Sequence, residues 1–143
     1  MDQEIMEKYR KAGVILREVR ENAKGRVKKG AKLLDVANEI EAEIVEKGGK
    51  PAFPVNISIN QEAAHDSPGI DDARVFGDDV VKVDIGVHVD GYIADTAVTV
   101  DLTGQNGDLV RASREALEQA IKLVRPGVNT QEIGATIEAT IES

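Results

Sequence analysis

Apolar and polar positions change period twice along this chain. From Asp2 to Lys24, Ile5, Tyr9, Ala12, Leu16, Val19 and Ala23 recur at three-to-four spacing, which predicts an amphipathic helix. A second helix is predicted over Leu33–Lys47, with Val36, Ile40 and Ile44 on one face and a stop at Gly48-Gly49. The period then falls to two. Val55, Ile57 and Ile59 alternate with Asn56, Ser58 and Asn60, and after a polar connection and a turn at Gly77–Asp79 the alternation returns over Val80–Val100. Helical spacing resumes over Leu109–Val124, through Ala112, Ala116, Ala120 and Val124, and stops at Pro126-Gly127. A fourth helix is predicted from Asn129, a capping residue with Glu132 three positions on; it carries Ile133, Ile137 and Ile141 and is expected to run to Ser143. Helices grouped around antiparallel strands in the order ααβββαα predict an α+β fold.

The stretch VVKVDIGVHVDGYIADTAVTV, Val80–Val100, is the most informative. Asp90-Gly91 between two alternating arms is a strong hairpin signal. A two-residue turn there pairs Val89 with Tyr92, His88 with Ile93 and Gly86 with Asp95. Side chains two apart share a face, so Asp84 joins Gly86 and Asp95. The two aspartates become diagonal cross-strand neighbours, roughly 7–8 Å apart at the backbone. Two carboxylates can converge on a metal ion from there, and Gly86 is expected to leave room for it. A sheet face with its carboxylates simply solvated is the competing reading. Val83, Ile85, Val87, Val89, Val98 and Val100 fall on the opposite face and suit a core.

A repeat underlies the helices. Displacing the chain by 97 positions lays VKKGAKLLDVANEIEAEI, from Val27, on VRPGVNTQEIGATIEATI, from Val124. Gly30 meets Gly127, Ile40 meets Ile137, Glu41 meets Glu138 and Ile44 meets Ile141 without a gap. The expected organisation is a first repeat over residues 1–106, helices followed by strands. Residues 107–143 would be the helical start of a second repeat.

Composition narrows the function. The chain has 143 residues, 41% of them hydrophobic, enough for one domain with a real core. It has no cysteine, which excludes disulfides and thiolate metal ligands. A net charge of −8 argues against electrostatically driven nucleic-acid binding. No apolar run has the length of a membrane span, and no secretory signal pattern is visible. No membrane partner is therefore expected, and the expected location is the cytoplasm.

The segment KPAFPVNISINQEAAH, Lys50–His65, followed by VDIGVHVDGYIADTAVTV, resembles the methionine aminopeptidases of the type 2, archaeal–eukaryotic kind. The resemblance covers the whole chain. It implies the pita-bread fold, built from two pseudo-symmetric halves, and a family length about twice this one. The chain would then be the N-terminal half plus the first helical pair of the second. The resemblance further implies that Asp84 and Asp95 bind a pair of divalent metals (Co, Mn, Fe or Zn), with Asp95 bridging. His65 would contact the substrate beside the metals, and Phe53 would wall the pocket for the methionine side chain. One histidine and two glutamates complete the family's ligand set, and no positions here match them. After His65 the family often has an aromatic residue; Asp66, Ser67 and Pro68 stand here instead.

The expected function is therefore removal of initiator methionine from nascent proteins by the parent enzyme. The substrate would be the N-terminal methionine of a peptide, and this half alone would be inactive with weak or absent metal binding. A homodimer or a complementing second half is the expected partner. The alternatives are an isolated half acting as a folding or dimerisation module, and a non-catalytic pita-bread module that binds proteins. His88, on the face of the aspartates, is read as structural.

Overall fold

A computed structural model describes residues 2–143. Helix α1 spans Gln3–Arg26 and α2 spans Leu33–Glu46. Strands β1 (Lys50–Pro51), β2 (Asn56–Ile59), β3 (Val80–Val89) and β4 (Tyr92–Asp101) follow, then α3 (Gly107–Leu123) and α4 (Thr130–Ile141). The chain divides into two compact units, one ending at Thr103 and one over Gly104–Ser143.

In the first unit β3 is the central strand. β4 pairs with it along its whole length, while β2 and β1 pair in succession along its other edge, all antiparallel. The hairpin register is the one parity predicts: Val89 faces Tyr92, His88 faces Ile93 and Gly86 faces Asp95. Asp90 at φ 52° and Gly91 at φ 86° give the turn its left-handed pair, the combination whose twist matches that of the arms. Val81, Val83, Ile85 and Val87 are fully buried on one face. Against them lie Ala12, Ile15, Leu16, Val19 and Ala23 of α1 and Leu33, Val36, Ile40 and Ile44 of α2. Each fully buried Leu, Ile or Val contributes about 1.5–3 kcal/mol, so this face fixes which side of the sheet is left for chemistry.

The first turns of α1 depart from the expectation. Tyr9 lies off the core, 42% exposed, with its ring edge-on to Tyr92 at 5.2 Å. The connection Asn60–Asp79 is also more ordered than its polarity suggests. Its second leg is stitched to the α1–α2 connection: Gly30 N–H donates to the Phe76 carbonyl at 2.7 Å, Phe76 N–H to Ala31 at 3.0 Å and Leu33 N–H to Arg74 at 3.1 Å. Phe76 is buried there, 1% exposed. At its ends Asn60 Nδ2 donates to Asp79 Oδ1 at 2.7 Å, and Val80 N–H donates to Asn60 Oδ1 at 3.0 Å.

In the second unit α3 and α4 pack on each other, and Ala116 and Ala120 are the buried residues of α3. Asn129 caps α4, accepting from Gln131 N–H at 3.0 Å. The expected run to Ser143 is corrected: α4 ends at Ile141, where Glu142 N–H closes the last turn on Glu138 O. Leu109, Leu117, Ile121 and Val124 of this unit are more than half exposed.

Candidate metal centre

The face of the sheet turned away from α1 and α2 carries Lys82, Asp84, Gly86 and His88 on β3. Opposite them on β4 stand Thr99, Ala97, Asp95 and Ile93. Asp84 is half-buried and Asp95 exposed. Burial pushes the Asp84 carboxyl above its ordinary range, and the negative charge of Asp95, within hydrogen-bonding reach, pushes it further. A hydrogen bond from Asn56 and the charge of His65 act the other way. The structure thus brings together the two carboxylates that parity placed side by side. They repel one another, which is the condition a cation between them relieves.

Gly86 does not leave the expected room. A Cβ on Gly86 would stand 2.3 Å from Cε1 of Phe53 and 2.7 Å from its Cδ1. The Phe53 ring therefore lies against the backbone of β3 at Gly86, two positions from Asp84 and directly across from Asp95. Ala52 N–H, which donates to Gly86 O at 2.9 Å, sets the chain on that path. Phe53 thus reaches the same face as Asp84 and Asp95, as an apolar wall beside the carboxylates.

Asn56 was visible in the sequence only as a polar position on β2. It pairs directly with Asp84, is 9% exposed and accepts from Ser67 Oγ at 2.7 Å. Its position follows from the β2–β3 register, which no local pattern encodes. His65 stands on the surface in the left-handed region at φ 65°, close enough for its charge to act on Asp84. His88 shares the face, but its Nδ1 accepts the Gly91 N–H at 3.0 Å, which fits a structural role in the turn.

Hard, anionic oxygen donors such as Asp84 and Asp95 suit divalent cations of the Mn(II), Fe(II), Co(II) or Zn(II) type. Among the described residues no group of three or more His, Cys, Asp or Glu side chains is arranged to hold a metal ion. The pair therefore fits part of a metal site, with the remaining donors absent.

A sequence profile of metallopeptidase family M24 matches residues 7–143. The methionine aminopeptidase of Archaeoglobus fulgidus is 53% identical over 142 residues, which are 99% of this chain and 48% of that protein. The crystal structure of a methionine aminopeptidase from Thermotoga maritima superposes with a TM-score of 0.90 at 30% identity, over 99% of this chain and 61% of that one. The prolidase from Pyrococcus horikoshii shares the fold, with a TM-score of 0.83 at 22% identity over 99% of this chain and 42% of its own. Matched from near its first helix to its last residue, and spanning about half the length of its curated relatives, the chain belongs to the M24 metallopeptidases and carries their pita-bread fold.

Proposed function

We propose that this chain supplies the aspartate side of the dinuclear centre of a type 2 methionine aminopeptidase, which removes initiator methionine from nascent proteins. The observation that carries the reading is the shared face of Asp84 and Asp95 with the Phe53 ring seated at Gly86 beside them. Asp84 and Asp95 would hold the divalent ions, Asp95 bridging. Bound there, the ions would supply Lewis acidity toward a water and the scissile carbonyl. Phe53 offers the methionine side chain an apolar wall that excludes water. His65, on the loop above the sheet, would contact the substrate and steady charge developing on its carbonyl oxygen. The same reading makes residues 1–106 a first repeat and 107–143 the helical start of a second, in a cytoplasmic protein.

The isolated chain holds two of the family's five ligands, so it should bind metal weakly and release negligible methionine, because catalytic geometry is lost when a site lacks its supporting donors. Calorimetric titration of Mn(II) into the chain, with Asp84→Asn and Asp95→Asn as controls, tests the ligand assignment. Weak binding abolished by either substitution supports it, and binding indifferent to both refutes it. Methionine release from a Met-Ala-Ser peptide at full-length rates by the verified 143-residue chain would refute the inactivity.

A further inference from the structure

We propose that Arg74 is a positioning residue for His65, holding it through the carboxylate of Asp66. The consequence for reaction rests on the reading of His65 given above; the placement itself does not.

His65 sits in a connection with no helix or extended strand, Asn60–Asp79, and in a left-handed conformation at φ 65°. Left-handed backbone is uncommon for a non-glycine residue, less so for histidine than for most, and its cost is offset by the surrounding contacts. None of its own side-chain contacts does so: His65 is exposed and Ala63 and Ala64 before it are exposed. That offset comes from the next residue. The Asp66 carbonyl accepts the Ile57 N–H at 2.7 Å, tying the loop to β2. The Asp66 carboxylate receives both terminal nitrogens of Arg74, Nη1 at 2.6 Å and Nη2 at 3.2 Å. Such a forked pair fixes direction as well as distance.

Arg74 is itself anchored by its backbone and by a second carboxylate. Its carbonyl accepts from Leu33 N–H at the start of α2, and Phe76 two residues on is buried in the core. Asp72, its side chain 9% exposed, grips the other side of the guanidinium, Nη2 to Oδ2 at 2.6 Å and Nε to Oδ2 at 2.9 Å. The core thus holds Arg74, Arg74 holds Asp66, and Asp66 sets the backbone on which His65 stands.

The test uses the 143-residue chain and nuclear magnetic resonance, without metal or substrate. A failure of the metallopeptidase reading therefore leaves the result untouched. The chain has two histidines, so the imidazole protons give two sets of signals. In Arg74→Gln the His65 signals should move to those of a flexible peptide while those of His88 stay. Exchange of the Ile57 amide should quicken about tenfold to a hundredfold relative to Val83 and Ile85. Asp66→Asn, which keeps the Arg74–Asp72 pair, should do the same with less effect on melting temperature. Asp72→Asn, which weakens one hold on Arg74 but keeps the Arg74–Asp66 pair, should loosen His65 much less than either. Unchanged His65 signals in Arg74→Gln or in Asp66→Asn would overturn the proposal, as would equal loosening in Asp72→Asn. Should Arg74→Gln fail to fold, Asp66→Asn and Asp72→Asn still decide.

Discussion

Replacing Gly86 by alanine tests the seat of Phe53 with a change of sign. In an ordinary strand, glycine to alanine stabilises by about 0.5–1 kcal/mol, because alanine loses less backbone freedom on folding. Here the new methyl carbon would stand 2.3, 2.7 and 2.8 Å from three carbons of the Phe53 ring. Real Cβ atoms do not approach so closely, so the ring must swing off the strand. Overpacking of this kind costs about 1–3 kcal/mol. The net expectation for Gly86→Ala is a loss of up to about 2.5 kcal/mol, the overpacking cost less the strand benefit. For a unit of this size each kcal/mol moves the melting temperature by about 4–8 °C. With Phe53→Ala as background the clash is gone, and Gly86→Ala should then stabilise. Tyr9 and Tyr92, the protein's tyrosines, both lie in the first unit, so tyrosine fluorescence during urea unfolding reads that unit alone. A Gly86→Ala chain more stable than the parent, or one equally weakened in both backgrounds, would refute the placement of the ring.

Three further outcomes are expected. Glu43 is buried between α1 and α2; burial alone would raise its carboxyl, but a hydrogen bond from Asn22 and the ion pair with Arg26 outweigh it and hold the group below its ordinary range. A depressed carboxyl adds stability above the unfolded carboxylate range that is lost as pH falls through the lower folded value, so Glu43→Gln should cost about 1–3 kcal/mol at neutral pH and flatten acid denaturation curves below pH ~4.5. Gly91→Ala should cost about 1–2 kcal/mol, the penalty of a Cβ in the left-handed region, measured by urea midpoint; an unchanged midpoint would contradict the turn at φ 86°. Light scattering above micromolar concentration should find the chain as a homodimer, because Leu117, Ile121 and Val124 leave an apolar stripe on the α3 side of the second unit; Leu117→Gln with Ile121→Gln should return a monomer, and a parent that is already monomeric would refute association.

The sequence made the hairpin legible because its determinants are local. Asp90-Gly91 fixes the turn, the turn fixes the register, and period two then puts Asp84 and Asp95 on one face. The helices were legible for the same reason, although the apolar stripe of α1 was read too far toward its start: Tyr9 packs on Tyr92 outside the core. Features that need distant partners were not legible. Gly86 reads locally as open space, and only the path of the chain through Ala52 puts a ring there. Asn56 looks like any outward polar residue until β2 is laid against β3. Asp66 looks like an irregularity after His65 until Arg74, eight positions on, turns back to meet it. Each depends on how a connection without periodicity folds, and periodicity is what sequence reading measures.

The two-residue turn at Asp90-Gly91 also orders events in time. Closing a loop costs about (3/2)RT ln n, so pairing β4 with β3 across that turn is cheaper by about 2 kcal/mol than pairing β2 with β3 across the Asn60–Asp79 connection, about ten times longer. The hairpin is thus the early event and the closure of β2, with Asn56 and the Phe53 segment, the late one. Asp84 and Asp95 first meet in open water, where their repulsion is weak. Asp84 loses part of that solvent only when the preceding strand and ring settle beside it, while Asp95 stays exposed. On that order the repulsion of the pair arises after the folding nucleus, so Asp84→Asn is expected to slow the unfolding of this unit and leave its folding rate unchanged.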